Sequence, residues 1–223
     1  MYTLCGHSLS VRSVAISADS QYIVSGSDDE TVKIWDMQTG SCVRILKGHH
    51  GHVLSVAFSA KSQHVISGSR NKTVKVWDKQ TGACIRTLED HSRCVLSVAF
   101  SSNGLHIISG SDDKTIKIWD MITGGCLQTL NGHGRWVRSV AFSSDNQHIV
   151  SGSDDNTVKI WDTQMGGCLQ FLMAMTAGFG RWRSQLMVGI LFQDPMTIPL
   201  RSGTRERAAA CRLLRVMATG FDQ

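Results

Sequence analysis

The chain has 223 residues, 42% of them hydrophobic, and a net charge of +5, which fits one globular domain and excludes collagen-like, coiled-coil and disordered chains. Its longest uninterrupted apolar run, Leu186–Phe192, is far shorter than the roughly 20 residues of a membrane-spanning helix. Seven cysteines without a CxxC pair argue against a disulfide framework or a zinc module, so we expect a reducing, cytoplasmic setting, with the nucleus as the alternative.

A 42-residue repeat begins near residue 6 and organises most of the chain. Sixteen of its 42 positions are identical in all four copies, and the Trp-Asp dipeptide recurs at a constant spacing, as Trp35-Asp36, Trp77-Asp78, Trp119-Asp120 and Trp161-Asp162. Duplication of one structural unit explains this pattern. We predict a repeat region over 2–171, divided into units 6–47, 48–89, 90–131 and 132–171.

Within each unit the hydrophobic pattern alternates with a period of two. In the first unit the alternating runs cover 11–17, 22–27, 31–36 and 42–46, and polar or glycine-containing turns such as residues 28–30 and 38–40 separate them. This pattern predicts four short antiparallel strands per unit and an all-β fold.

The motifs Gly-His, Ser-Val-Ala-Phe-Ser, Ser-Gly-Ser, Thr-Val-Lys-Ile-Trp-Asp and Thr-Gly, at this spacing, resemble WD40 repeats. The resemblance implies a β-propeller in which each unit is one blade of four antiparallel strands. Family rings usually have about seven blades, so four blades imply an incomplete ring with an irregular C-terminal tail. The strand edges left open at the ends could support self-association.

The function implied by the resemblance is that of a non-catalytic scaffold for a protein or peptide partner. Near-identical repeats of fixed length also resemble the sensor propellers attached to fungal NACHT-type signalling NTPases. That likeness suggests a ligand-sensing module and a fragment of a longer array. General scaffolds of ubiquitin ligases or chromatin complexes are the alternative within this class. We expect no cofactor and no metal.

The resemblance also implies a buried hydrogen-bond network in each blade, running from Trp through Ser and His to Asp. By position, its members are His7, Ser25, Asp29 and Trp35; His49, Ser67, Asn71 and Trp77; His91, Ser109, Asp113 and Trp119; and His133, Ser151, Asp155 and Trp161. Blade two has Asn71 in place of the carboxylate, so we expect His49 to be held less firmly. Ser, His and Asp also occur in hydrolases, but four copies and no G-x-S-x-G motif favour a structural role.

Positions that differ between blades are where a partner can be recognised. The resemblance places three positions per blade on one face: three and five residues after the histidine, and one residue before the network Asp. We call these twelve residues the loop face: Ser10, Arg12, Asp28, His52, Leu54, Arg70, Cys94, Leu96, Asp112, Trp136, Arg138 and Asp154. Trp and Arg are enriched in binding hot spots, whereas the three aspartates disfavour nucleic acid.

Four cysteines share one position of the repeat, on the fourth strand: Cys42, Cys84, Cys126 and Cys168. Because they lie in four different blades, they do not form a metal site, and we expect them to be small buried hydrophobic residues.

Residues 172–223 do not follow the repeat, and they carry most of the net charge. They contain seven Arg against three acidic residues, a net of +4, whereas residues 1–171 contain 16 Lys and Arg against 15 Asp and Glu, a net of +1. An arginine-rich segment could bind nucleic acid or a membrane surface, which is our alternative function. A shifted reading frame, however, permits the repeat residue at 28 of the 32 positions in 174–205. We therefore hypothesise that this tail is a frameshifted fifth repeat.

Overall fold

The computed structural model describes residues 3–173. It contains four separate four-stranded sheets, and in each sheet the strands are antiparallel and pair with their neighbours in sequence. The prediction of an all-β fold with four blades of four antiparallel strands is confirmed, and the last strand of the fourth sheet extends to Met173, two residues past the predicted end of the repeat region. The frameshift hypothesis and the arginine-rich binding alternative concern residues that, from 174 onward, lie outside the described part of the chain.

The strands have similar lengths in all blades. Blades one and two contain β1 (Val11–Ile16), β2 (Tyr22–Ser27), β3 (Val32–Asp36) and β4 (Cys42–Leu46), then β5 (Val53–Phe58), β6 (His64–Ser69), β7 (Thr73–Asp78) and β8 (Cys84–Glu89). Blades three and four contain β9 (Val95–Phe100), β10 (His106–Ser111), β11 (Ile116–Asp120) and β12 (Cys126–Leu130), then β13 (Val137–Phe142), β14 (His148–Ser153), β15 (Thr157–Asp162) and β16 (Cys168–Met173).

The core consists of apolar layers between successive blades. In the first layer, one face of blade one packs against the facing side of blade two, and its members are Val24, Val32, Ile34, Leu46, Val53, Val56, Val65 and Trp77. The layers between blades two and three and between blades three and four repeat this arrangement. Burial of apolar area stabilises each layer. A hydrogen bond also joins each pair of blades, such as the 3.1 Å contact from the Val56 amide to Ser13 Oγ.

The glycine of each Ser-Gly-Ser motif allows the blades to approach closely. A Cβ atom on Gly68 would lie 2.7 Å from Val95 Cγ1, and one on Gly110 would lie 2.8 Å from Val137 Cγ1. Real Cβ contacts are longer than this, so a larger residue would push the blades apart. The repeat therefore requires glycine here because of the interblade spacing.

The inner strand of blade one differs from its counterparts. Val14 and Ile16 of β1 are 65% and 59% exposed, whereas Val56 of β5 is 5% exposed. Val56 is covered by blade one, but among the described residues no blade covers β1 in the same way. The four described blades therefore form an open arc.

The prediction that the four repeated cysteines are buried is wrong. Cys42, Cys84, Cys126 and Cys168 are all exposed, and each lies at the start of the outermost strand of its sheet. That strand has one neighbour, and most of its side chains in β4 and β8 contact solvent. The repeated position reflects the duplication of the unit and not burial of the thiol.

Candidate functional site

The predicted network residues of blade three meet in one hydrogen-bonded chain. Trp119 Nε1 donates to Ser109 Oγ at 2.8 Å, Ser109 Oγ lies 2.7 Å from His91 Nε2, and His91 Nδ1 lies 2.7 Å from Asp113 Oδ2. Because indole only donates and carboxylate only accepts, the imidazole proton is assigned to Nδ1, and Ser109 donates to Nε2. Every polar side-chain atom of this four-residue network therefore has a hydrogen-bond partner.

Blades one and four contain the same chain with nearly the same lengths. The His–Asp distance is 2.8 Å in both, the His–Ser distance is 2.7 Å in both, and the Trp–Ser distances are 2.7 and 2.8 Å. The repeated spacing of 10, 18 and 22 residues between partners therefore produces the same geometry each time.

The carboxylate in this chain is strongly hydrogen-bonded. Asp113 also accepts bonds from Thr115 Oγ1 and from the amides of Thr115 and Ser92. Burial opposes ionisation of Asp113, but the hydrogen bonds from His91 and Thr115 outweigh it and hold the pKa of Asp113 below its ordinary value. The same balance lowers the pKa of Asp155 to about 2.

The buried position of the serine decides what the chain can do chemically. Ser109 has no exposed surface, and its hydroxyl already bonds both Trp119 and His91. A nucleophilic serine needs a free path to a substrate carbonyl and a site for the oxyanion. The arrangement instead ties β10 and β11 to the turn between them and to the loop that precedes β9, which is a structural task.

The hydrogen-bonded network of blade two is weaker, because the side-chain amide of Asn71 replaces the carboxylate. Asn71 Oδ1 lies 3.3 Å from His49 Nδ1 and also accepts from Thr73. In the other blades one carboxylate oxygen serves the threonine and the second serves the histidine, but Nδ2 of Asn71 cannot accept a bond. Burial, only partly offset by Asn71, lowers the pKa of His49 to about 4.

The structure brings the predicted loop-face residues together in pairs. In every blade, the backbone amide of the residue before the network position bonds the carbonyl of the residue three after the histidine, at 2.9–3.0 Å; these pairs are Asp28–Ser10, Arg70–His52, Asp112–Cys94 and Asp154–Trp136. The bond fixes the β2–β3 turn, and its equivalents, against the loop that enters each blade.

Blades one and four carry matching ion pairs on this face. The Arg12 guanidinium contacts both carboxylate oxygens of Asp28, with Nε at 2.8 and 2.9 Å, and Arg138 contacts Asp154 in the same way, at 2.9–3.0 Å. The bond from Arg12, opposed by partial desolvation, lowers the pKa of Asp28. His52 Nδ1 lies 3.1 Å from Asp28 Oδ1 and so links blade two to this pair.

Blades two and three lack such a pair, because Leu54 and Leu96 occupy the arginine positions. In blade three, Asp112 Oδ1 is buried and has no hydrogen bond, although Arg93 Nη1 lies 3.6 Å away. Arg93 is a loop-face neighbour that the repeat pattern missed, since it lies two residues after the histidine, where blades one and two have Leu9 and Gly51. The positive charge of Arg93 was the feature of the sequence that could have identified it as a neighbour of the loop face.

Trp136 is the most distinctive side chain of the loop face. It is 40% exposed, and the Arg138 guanidinium carbon lies 4.5 Å from its ring centroid. This cation–π contact and the Arg138–Asp154 ion pair hold both side chains in a fixed arrangement at the surface. A large, ordered, partly exposed aromatic group of this kind can anchor a partner.

Two further observations concern the described residues as a whole. Across residues 3–173, no group of three or more His, Cys, Asp or Glu side chains has an arrangement that could hold a metal ion. The same stretch contains no helix with the length and hydropathy that a membrane span needs.

Comparison with known proteins identifies the repeat. Residues 1–36, 40–78, 82–120 and 124–162 each match the family model described as WD domain, G-beta repeat. Over 42 residues, the chain is 55% identical to the Ribosome biogenesis protein BOP1 homolog of Drosophila grimshawi and 52% identical to that of Drosophila melanogaster. The matched segment is 19% of this chain but only 5% of each relative, so the likeness has the length of one repeat.

Proposed function

Because this chain belongs to the WD-repeat family, we propose that it is a non-catalytic scaffold that binds a protein or peptide partner through the loop face. WD-repeat propellers are in general protein-interaction scaffolds. The geometry of the described blades supports extending that role to the twelve loop-face residues, because they differ between blades while the network beneath them repeats.

The arrangement of Trp136, Arg138 and Asp154 carries the proposal. These residues combine an exposed aromatic ring, a guanidinium stacked on it and a carboxylate that orients the guanidinium. Aromatic and arginine side chains that are already ordered lose little conformational entropy on binding. The surface is therefore suited to a peptide that offers an apolar side chain and a polar backbone.

The charge of the loop face favours a peptide over nucleic acid. Asp28, Asp112 and Asp154 lie among its arginines, and two of these aspartates neutralise an arginine directly. A phosphate backbone is bound through uncompensated basic side chains, and such side chains are few on this face. Nucleic-acid binding would have to involve other residues.

A peptide selection followed by affinity measurements tests the proposal. Peptides selected on the wild-type chain should bind the Trp136→Ser variant at least about tenfold more weakly, since loss of a hot-spot aromatic typically costs about 2 kcal/mol. Serine is the residue of blade one at this position. Met165→Thr is the matched control, because Met165 is 83% exposed and the other blades have threonine there. Equal affinity of wild type and Trp136→Ser would contradict a role for the loop face.

Ligand sensing within a longer signalling array is the finer form of this proposal, and the resemblance to NACHT-associated propellers is what supports it. The likeness to a ribosome biogenesis protein covers one repeat and assigns neither a partner nor a compartment to this chain. A cytoplasmic location, with the nucleus as the alternative, stays a prediction.

Self-association is a second proposal, and the exposed apolar residues of β1 support it. Val11, Val14 and Ile16 form a patch whose counterparts in the other blades are covered. Two copies that meet through this patch would bury it on both sides. Sedimentation should then show dimers that Val14→Asp disperses, whereas Met165→Thr leaves them intact. A chain that stays monomeric at high concentration contradicts this proposal.

A further inference from the structure

A cavity of about 550 Å³ opens between blades one and two, at the end of the sheets opposite the loop face. Its walls come from β2, β3 and β4 of blade one and from the β5–β6 and β7–β8 turns of blade two. Tyr22 and Val43 provide apolar surface, above the buried Ile34. This volume lies within the range of small-molecule sites.

Three cations line this cavity: Arg44, Lys61 and Lys79. Lys79 Nζ lies 4.1 Å from the centroid of the Tyr22 ring, and Arg44 donates from Nε and Nη2 to the carbonyl of Gln80 at 3.2 and 2.9 Å. Within residues 3–173, none of the three forms an ion pair with a carboxylate. Their charges are therefore not neutralised by direct contact.

Two carboxylates lie near these cations, and each is engaged by its own turn. Asp78, on the wall of the cavity, accepts from the amide and the hydroxyl of Thr81 at 2.6 and 2.8 Å. Asp19 of the β1–β2 turn accepts from Ser17 and from the Gln21 amide. Both carboxylates stay ionised, since these bonds lower their pKa, so three cations and two carboxylates leave a net charge of +1 around the cavity.

The other two blade junctions do not repeat all three cations at the equivalent positions. Arg44, Lys61 and Lys79 correspond to Arg86, Asn103 and Met121 at the next junction, and to Gln128, Asp145 and Thr163 at the third. The charge of the three positions is thus +3, +1 and −1 in turn. Since all three junctions pack in the same way, packing does not require the two lysines.

We propose that this cavity binds a small organic phosphate, with its phosphate group against Lys61 and Lys79 and its apolar part against Tyr22 and Val43. The ammonium groups act as mobile point charges suited to a phosphate dianion. Arg44 uses Nε and Nη2 on the carbonyl of Gln80 and Nη1 on that of Val43, so the two lysines are the cations of this cavity whose side chains donate no hydrogen bond within the described residues. The volume fits a small molecule and not a macromolecule.

Calorimetric titration of the full chain at low ionic strength tests this site, with phenyl phosphate and inorganic phosphate as probes. The test variant is Lys61→Asn/Lys79→Met, whose new residues are those of blade three at the same positions. It should bind phenyl phosphate at least about tenfold more weakly than wild type, because it loses both charged hydrogen bonds to the phosphate group. Phenyl phosphate should bind wild type more tightly than inorganic phosphate does.

The control variant is Lys72→Asn/Lys114→Asn, which removes the same total charge at the loop-face end, where blade four has Asn156. It should bind phenyl phosphate as wild type does. Equal losses in the two double variants, or no binding by wild type at millimolar concentration, would overturn the proposal. Equal affinity for the two probes would overturn the assignment of an apolar part to the ligand. Melting temperatures of both variants near that of wild type show that the fold is retained.

Discussion

Blades two and three share 23 of the 42 repeat positions and the same strand order, but they hold the network histidine differently. His91 lies 2.7 Å from Asp113 Oδ2, whereas His49 lies 3.3 Å from Asn71 Oδ1. The serine and tryptophan bonds are the same in both blades, at 2.7 and 2.8 Å. The bonds from Trp to Ser and from Ser to His are therefore independent of the residue at the Asp position. The contact between His Nδ1 and that residue is short only where the side chain has a second acceptor oxygen.

The largest change in the free energy of unfolding is expected from removing the network serine, which bonds the tryptophan and the histidine in both blades. Ser109→Ala should lower the free energy of unfolding by about 3 kcal/mol, because it leaves the Trp119 indole and His91 Nε2 buried without partners. Ser67→Ala should cost less, since His49 is already held weakly. Urea denaturation of both variants measures the two losses. Negligible losses in both variants would show that the network does not stabilise the blades, and equal large losses would show that Asn71 does not weaken the network of blade two.

The next effect depends on pH and arises in blade two. Folded His49 has a pKa of about 4 against 6.5 in the unfolded chain. Between these values the unfolded chain binds a proton that the folded chain excludes, so stability is fully present above pH 6.5 and falls as the pH drops toward 4. The loss should be about 3 kcal/mol at pH 4.

Asn71→Asp should reduce this loss, because a carboxylate stabilises the imidazolium and raises the pKa of His49. Urea denaturation of wild type and variant at several pH values between 4 and 7 measures the change. If the unfolding free energies of wild type and Asn71→Asp have the same pH dependence, the missing carboxylate does not account for the low pKa of His49.

A smaller effect is expected from making blade three resemble blade two. Asp113→Asn removes the second acceptor oxygen, so His91 must share Oδ1 with Thr115, and the Ser92 amide loses its partner. The free energy of unfolding should fall by about 1 kcal/mol. Asp112→Asn, a change of the same kind at the adjacent loop-face residue, serves as the control. If that control destabilises the protein as much, the network carboxylate has no special role.

The smallest effect concerns the turn that follows the network residue. Lys114 has φ = 72°, in the left-handed region. Its counterparts in the other blades, Glu30, Lys72 and Asn156, also have positive φ. Asn tolerates this backbone better than Lys, so Lys114→Asn should stabilise blade three by about 0.5 kcal/mol. Lys61→Asn is the control, since Lys61 is not among the residues with positive φ. Equal changes in unfolding free energy would contradict the backbone argument.

Much of the fold was predictable because the same contacts recur at fixed spacing. The alternation around Val56 and the repeated Trp77 and His49 positions are sufficient to predict four strands per blade. The exposure of Cys42 was not predictable from the repeat, because duplication preserves a residue whether or not it is buried.

The site was less accessible to prediction because it combines residues from different blades. Lys79 and Tyr22 are 57 positions apart in sequence, and no periodicity links them. Similarly, the bond of His52 to Asp28 crosses from blade two to blade one. Variable positions could be recognised from the repeat, but their contacts required the interblade geometry.

The central proposal is that the hydrogen-bonded networks of Trp, Ser, His and Asp or Asn each stabilise one blade and have a structural and not a catalytic role. Treatment of the native chain with a fluorophosphonate, followed by mass spectrometry, tests it directly. Since Ser109 is fully buried and bonded on both sides, the account predicts no modification of the four network serines, Ser25, Ser67, Ser109 and Ser151. Stoichiometric labelling of any of them in the native chain would contradict it.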